Sequence, residues 1–368
     1  MKKVVIATDT YFPKIDGITS VLKEVVPRLA QTFDITMLAP DFGAAWSNAE
    51  VKLKVSRFLR LLGYPLIRIS FGNLKKVRDA VKAADAVFIQ GPALISIMAV
   101  YYGRKYRKKT VYYVHTNVWE LYKNNVSRIV RWSGALLKQF MIYWYNRCDV
   151  LLVPYRNYID ELDALGITTK KEVVQLGVDI ERFKPTENKL EAKQKLGIDQ
   201  NCMVIGYVGR VSREKNISIL LEAFKRLRER YNVKLLIVGS GTDMDIFKDE
   251  RNIILPGFQK DVAQYYQAMD IFVMPSLTET TSLATLEAMA CGIPVITTKV
   301  GFLKDYVHKD YNGLHFPKGN AHNLILQLKK LLRNPERLKD MGENARATAM
   351  TFSWENTIRK IKEVLEKD

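Results

Sequence analysis

Cysteine is scarce. The three residues, Cys148, Cys202 and Cys291, are far apart and show no CxxC spacing, so neither a disulfide framework nor a zinc site is expected, and a reducing cytoplasm fits. Long apolar runs are missing as well. After Met1-Lys2-Lys3 the run from Val4 to Ala7 stops at Thr8 and Asp9, too short for the apolar region of a signal peptide. The longest largely apolar stretch, Val87 to Gly103, is broken by Gln90, Gly91 and Pro92 and falls short of the ~20 residues of a membrane span. Neither export nor a spanning helix is expected. Also absent are a GxxxxGK[ST] phosphate loop and a strand-linked GxGxxG, which counts against an NTPase and against a standard dinucleotide oxidoreductase.

Acidic residues are the other shortage: 39 stand against 57 Lys plus Arg, a net charge of +18. The first 170 residues hold about 26 basic and about 13 acidic groups, so most of the excess lies there. Its clusters are Lys52, Lys54, Arg57 and Arg60, then Lys75, Lys76 and Arg78, then Arg104 to Lys109. Such a field favours a polyanion, either nucleic acid or an anionic membrane surface, and composition alone does not choose.

What is present is an ordinary globular composition, 48% apolar and 26% charged, in a chain of 368 residues. Single cores stop growing at roughly 250 to 300 residues, so two domains are expected. Short apolar strands, Val4–Ala7, Ile35–Ala39, Ala86–Ile89, Thr110–Val114 and Val150–Val153, alternate with amphipathic segments. A second series follows residue 200: Met203–Val208, Lys234–Val238, Ile253–Leu255, Ile271–Met274 and Pro294–Thr297. The pattern predicts an α/β chain with two Rossmann-like, doubly wound parallel sheets facing a central cleft. The expected boundaries are an N-terminal domain over 1–170, a linker over 171–186 and a C-terminal domain over 187–351. Trp354, Ile358, Ile361 and Val364 recur at helical spacing, so 352–368 reads as a terminal amphipathic helix that can pack back on the first domain.

In open sheets of this kind ligands bind beyond the carboxyl ends of the strands, so the loops there carry the candidates. In Pro275 to Pro294 a strand ends at Met274, and a helix starting near Thr280 or Thr281 would point unpaired amides at an anion. Glu279 lies at its mouth and Glu287 about two turns on, placed to accept hydrogen bonds from sugar hydroxyls; capping and solvation are the alternatives. Arg210 and Lys215, in the loop after Gly209, could place two cations around one diphosphate without a metal. Gly239 and Ser240 form a post-strand turn that could lie against a nucleotide. In the first half, Tyr11, Asp16 and Gly17 lie in the loop after the first strand, and His115 follows a strand. Asp243-Met244-Asp245 has the DxD form of metal-dependent sugar transferases, but with Asp249 and Glu250 nearby it reads as a capped helix start, so no metal ligands are assigned.

With these residues in place, the chain resembles the retaining GT-B glycosyltransferases of family four, particularly the lipid-directed mannosyl- and glucosyltransferases. The likeness covers nearly the whole chain: Asp9 to Pro13 with Asp16-Gly17, Gly63-Tyr64-Pro65, His115-Thr116, Leu176 to Asp179 with Phe183 and Pro185, Gly209-Arg210 with Glu214-Lys215, Glu279 with Glu287, and Phe352-Ser353-Trp354. It implies that Arg210 and Lys215 hold a donor diphosphate, Glu279 the donor sugar, Glu287 the ribose, and the backbone of Thr280, Thr281, Ser282 and Leu283 the phosphate. His115 would contact the sugar near the reacting carbon. Phe258, beside Pro256-Gly257, lies where the donor base is expected, and Tyr11 and Asp16 are the expected acceptor contacts. The family usually has an aromatic residue and a glycine where Thr281-Ser282 stands here. The donor implied is a nucleotide sugar, GDP-mannose first and UDP-glucose second, with no cofactor and no metal.

The acceptor implied is a lipid or lipid-linked sugar. Residues 125–147 combine Val126, Ile129, Val130, Trp132, Leu136, Leu137, Phe140, Met141, Tyr143 and Trp144 with Arg128, Arg131, Lys138 and Arg147, which suits a helix resting on an anionic bilayer. The expected location is cytoplasmic, peripheral on the inner face of the cell membrane. The other readings are a soluble transferase acting on a sugar or small metabolite and, from another class, a basic nucleic-acid-binding protein; no recognition motif supports the latter, so no nucleic acid is expected.

Overall fold

The computed structural model describes residues 1–14, 16–43, 50–61, 64–125, 133–248 and 250–367. Gly63, Val126, Arg128, Ile129, Val130, Arg131, Trp132 and Asp249, singled out above, lie outside the described residues. The chain divides into two compact units, Met1–Leu176 with Trp354–Asp368, and Gly177–Ser353.

The first unit contains β1 (Lys3–Ala7), α1 (Gly17–Leu29), β2 (Asp34–Pro40), β3 (Glu50–Leu53), β4 (Val55–Leu61), β5 (Tyr64–Ile67), α2 (Phe71–Ala83), β6 (Ala86–Ile89), α3 (Leu94–Lys105), β7 (Lys109–Tyr113), α4 (Val118–Asn125), α5 (Ser133–Tyr145), β8 (Val150–Val153), α6 (Arg156–Asp163) and β9 (Lys170–Val173). Its seven-stranded sheet runs β3-β2-β1-β6-β7-β8-β9, parallel throughout, with β4 and β5 forming a separate antiparallel pair. Central strands β6 and β8 are buried at every position because helices cover both faces.

The second unit contains α7 (Lys189–Lys195), β10 (Met203–Val208), α8 (Ile217–Leu227), β11 (Val233–Val238), β12 (Ile253–Gly257), α9 (Ala263–Ala268), β13 (Ile271–Met274), α10 (Leu283–Ala290), β14 (Val295–Thr298), α11 (Leu303–Tyr306), β15 (Gly313–Phe316), α12 (Ala321–Leu332) and α13 (Pro335–Ala349). Its sheet order is β12-β11-β10-β13-β14-β15, again parallel. Two doubly wound sheets, as the strand pattern predicts, are what the chain forms.

The last helix, α14 (Trp354–Glu366), belongs to the first unit. It buries Trp354, Ile358, Ile361 and Leu365 along one face, each contributing roughly 1.5 to 3 kcal/mol. Thr357 Oγ1 donates to the Gln175 carbonyl at 2.7 Å and Lys360 Nζ to that of Val173 at 3.1 Å.

The segment 171–186 differs from the expected linker. Lys170–Val173 is a sheet strand, and Val178 and Phe183 are buried in the second unit. There the Arg346 guanidinium donates to the carbonyls of Phe183 and Ala290, each at 2.7 Å, and Phe183 packs edge-on against Tyr266. The Lys- and Glu-rich stretch that follows is helix α7. Asp270, itself buried, draws Lys193 to 2.8 Å and Lys189 to 3.0 Å while accepting from the Val204 amide at 2.7 Å. These ion pairs pin the helix to the sheet.

Candidate active site

In the second unit the strand order reverses between β10 and β13, with β11 and β12 to one side and β14 and β15 to the other. The loops leaving β10 and β13 therefore diverge at the carboxyl edge, which is where sheets of this type receive ligands. Lys215 leaves the β10 side and Glu279 the β13 side, and Lys215 Nζ lies 2.5 Å from Glu279 Oε1. Both are largely enclosed, their side chains 19% and 8% exposed. Ser276, fully buried, donates its hydroxyl to the same carboxylate oxygen at 2.7 Å and is itself fixed by the Thr298 hydroxyl, which donates to its carbonyl at 2.6 Å. The Leu277 amide donates to the Glu214 carbonyl at 2.8 Å, tying the two loops together.

Arg210 pairs with Glu214 at 2.9 Å and keeps 42% of its side chain exposed. Burial alone would raise the Glu214 carboxyl, but the Arg210 charge and the Ser212 hydroxyl, 2.7 Å away, hold it below the usual carboxylate range. Two fixed cations thus stand on one loop, one partly open to solvent.

Gly239 and Ser240 serve this loop directly. The Val211 amide donates to the Ser240 carbonyl at 3.0 Å, and a Cβ on Gly239 (φ +139°) would lie 1.9 Å from the Gly209 carbonyl oxygen. The glycine is needed so that two backbones can touch, which is the part of its expected role the packing explains. Phe258, following Gly257 at the end of β12, is 49% exposed.

The loop ahead of α10 differs from the expectation. The helix starts at Leu283 and not at Thr280 or Thr281, and its N-cap is Ser282 in the left-handed region (φ 61°, ψ 76°). Glu279 does not cap it. Serine here adopts a conformation that glycine would take without strain, held by the Tyr306 hydroxyl, which lies 2.8 Å from the Thr281 carbonyl and 3.3 Å from that of Ser282. A non-glycine left-handed residue costs roughly 1 to 2 kcal/mol. Ser282→Gly is therefore expected to raise stability by up to about 1 kcal/mol, seen as a higher urea midpoint at unchanged slope; a lower midpoint would contradict this account.

Glu287, the second carboxylate, sits on α10 with the Tyr266 hydroxyl 2.9 Å from its Oε2. Burial pushes its carboxyl upward, against the Tyr266 hydrogen bond and the Arg182 charge. Asp243-Met244-Asp245 is not a capped α-helix start: Met244–Phe247 is a 3-10 turn, and Asp243 makes no cap hydrogen bond. No group of three or more metal-ligating side chains occurs among the described residues.

In the first unit the order reverses between β1 and β6. Asp9, just past β1, accepts from the Ala93 and Ile95 amides, both at 2.8 Å, and from the Ser96 hydroxyl at 2.6 Å, so it caps α3 from another strand. Asp16 is the N-cap of α1, in a capping box with Thr19, and also accepts from the Thr10 hydroxyl at 2.6 Å. Tyr11 is 1% exposed, its hydroxyl donating to Glu50 at 2.5 Å. Both expected acceptor contacts are thus taken up by the fold. Gly17 opens α1, and a Cβ placed on it would meet nothing within 4 Å. His115 stacks on Tyr113, ring centroids 4.4 Å apart, with Nε2 2.6 Å from Gln90 Oε1; burial pushes its imidazole down to about 3, so it is neutral. Sequence reading missed Ser276, Tyr266 and Gln90, whose partners are set by topology.

Two open α/β sheets, each with its polar side chains gathered where the strand order reverses, make a GT-B glycosyltransferase fold. Anabaena HepE, solved in complex with UDP and glucose, has this fold: it superposes with a TM-score of 0.82 over 100% of both chains at 18% identity. The model for Glycosyltransferase Family 4 matches residues 15–182 and that for Glycosyl transferases group 1 matches 188–348, so together they cover almost the entire chain. The protein belongs to glycosyltransferase family 4. An alpha-monoglucosyldiacylglycerol synthase of Acholeplasma laidlawii is 26% identical across 96% of this chain and 94% of its own. A D-inositol 3-phosphate glycosyltransferase of Corynebacterium urealyticum is 35% identical, over 60% of this chain and 57% of its own.

Proposed function

We propose that this enzyme moves a hexose from a nucleotide sugar to a lipid or lipid-linked acceptor at a membrane surface, with retention at the anomeric carbon and without a metal. The observation that carries the reading is the enclosed Lys215–Glu279 pair at the strand-order reversal, with Arg210 beside it. Arg210 and Lys215 take the diphosphate, Glu279 the hexose hydroxyls, Glu287 the ribose, and the backbone from Thr280 to Leu283 a phosphate oxygen. As the C1–O bond to phosphate breaks, negative charge grows on the leaving oxygen, and a fixed ammonium and guanidinium stabilise it more than they stabilise the ground state. The acceptor oxygen attacks from the same face and its proton passes to the leaving phosphate. Because the two side chains supply this charge, EDTA is expected to leave the transfer rate unchanged; loss of activity restored by added divalent cation would contradict it.

The relative named for glucosyl transfer and the HepE complex with UDP and glucose favour UDP-glucose over GDP-mannose as donor. Thermal shift across a panel of nucleotide sugars tests this, since a ligand at 100 times its Kd adds about 2.7 kcal/mol to the native state.

The lipid reading is supported by α5. Met141, Ile142 and Tyr145 face the core, whereas Leu136 (63% exposed), Phe140 (45%) and Tyr143 (49%) form an outward apolar stripe. The Arg147 guanidinium lies 3.3 Å from the Tyr143 ring centroid, beside that stripe. Phe71, 80% exposed at the start of α2, adds a second apolar contact next to Lys75 and Lys76. Interfacial aromatics with basic neighbours bind anionic bilayers, each cation contributing about 1 kcal/mol. Phe140→Glu is expected to weaken sedimentation with anionic vesicles about tenfold or more while leaving turnover of a detergent-dispersed acceptor intact. Wild-type protein that stays in the supernatant at low salt would instead favour a soluble sugar-like acceptor, the reading that the inositol-phosphate relative suggests.

A further inference from the structure

We propose that Gln90 is a positioning residue that holds His115 as the neutral tautomer with its proton on Nε2. Gln90 leaves the carboxyl end of β6 and His115 that of β7, adjacent parallel strands, so their side chains meet beside the strand-order reversal of the first sheet. Gln90 is 1% exposed, and its Oε1 lies 2.6 Å from His115 Nε2. A carboxamide oxygen can only accept, so at that distance Nε2 carries the hydrogen. The other end of the amide, Nε2 of Gln90, is buried without a hydrogen-bond partner. Leaving such a donor unpaired costs about 1 to 3 kcal/mol, and a leucine there would avoid it, so the fold tolerates the glutamine at a cost. Fixing one imidazole offsets that.

The surroundings hold the ring still and uncharged. Tyr113 stacks on one face, and a water-sized void beside it is lined by Gly91, Pro92, Tyr112, Thr116 and Tyr145. Burial raises the hydroxyls of Tyr112, Tyr113 and Tyr145, so none of them ionises near neutral pH. Asp9, past the neighbouring strand β1, is spent on the start of α3, and Gly91 permits that approach, since its Cβ would lie 2.8 Å from Asp9 Oδ2. A carboxamide at position 90 adds no charge that would draw a second proton onto the ring. Neutrality suits a group beside a reacting anomeric carbon, where positive charge develops in an oxocarbenium-like transition state and an imidazolium would oppose it.

That catalytic consequence rests on the proposed contact of His115 with the donor sugar, whereas the tautomer is measured without it. In the full chain with labelled histidine, long-range nitrogen–proton correlation is expected to show His115 protonated on Nε2 alone between pH 5.5 and 8. Gln90→Leu should preserve folding and yield a tautomer mixture with kcat reduced roughly tenfold at little-changed KM. Gln90→Glu should move the imidazole titration to between about 5 and 8, with transfer falling as pH drops through it. Proton on Nδ1 in the unaltered protein, or a Gln90→Leu spectrum identical to it, overturns the inference whatever the activity. Full activity in His115→Ala would overturn the sugar contact while the spectra still decide the role of Gln90.

Discussion

Lys215→Met is expected to lower kcat/KM for transfer by roughly a thousandfold, about 4 kcal/mol of transition-state stabilisation. Methionine keeps the unbranched stem and removes only the ammonium, so the loss reports the charge and not the packing. The substitution also leaves Glu279, 8% exposed, without its ammonium partner though still accepting from the Ser276 hydroxyl, and an uncompensated enclosed carboxylate costs roughly 3 kcal/mol of stability. Stability and catalysis must therefore be separated. The double variant Lys215→Met with Glu279→Gln should recover most of the stability and none of the activity. Glu279→Gln alone should retain the fold and lose transfer, since an amide accepts the Ser276 hydrogen bond but no longer pairs with the lysine. Wild-type rates in both single variants would remove the pair from the reaction.

Gly239→Ala should produce a large structural effect for a single added methyl. Its Cβ would come 1.9 Å from the Gly209 carbonyl oxygen and 2.9 Å from the carbonyl carbon, both backbone atoms of the loop that carries Arg210. Nothing flexible can yield, and the backbone at φ +139° is a conformation alanine resists. A loss of more than about 3 kcal/mol in the second unit is expected, together with loss of donor binding. The control is Gly17→Ala, where a Cβ meets nothing within 4 Å in the first turn of α1 and helix propensity favours alanine by up to about 1 kcal/mol. Unfolding followed separately in each unit distinguishes the two outcomes; equal midpoints for both variants would contradict the contact described.

The strands legible in the sequence are those buried on both faces, because burial demands unbroken apolar runs such as Val150-Leu151-Leu152-Val153. The ones missed are β3, β9 and β15, at the edges of the two parallel sheets, and the separate β4–β5 pair. Lys170-Lys171-Glu172-Val173 is charged because an edge strand exposes one side to water and must discourage further pairing, so it reads as a loop. The supposed linker failed for a related reason: nothing local to Phe183 announces Tyr266 and Arg346, far along the chain, which receive it in the second unit. The same limit applies to the candidate site. Arg210, Lys215, Glu279 and Glu287 could be named because post-strand loops concentrate chemistry, yet the pairing of Lys215 with Glu279 required the β10–β13 adjacency. Tyr11 and Asp16 occupy loop positions of the same kind and turn out to be bonded within the fold.

A structure of the intact chain with UDP-glucose would test the central claim most directly. The diphosphate is predicted to lie within ~3 Å of Lys215 Nζ and the Arg210 guanidinium, with the hexose hydroxyls on Glu279. A diphosphate bound away from the loops after β10 and β13, with the Lys215–Glu279 pair untouched, would contradict it.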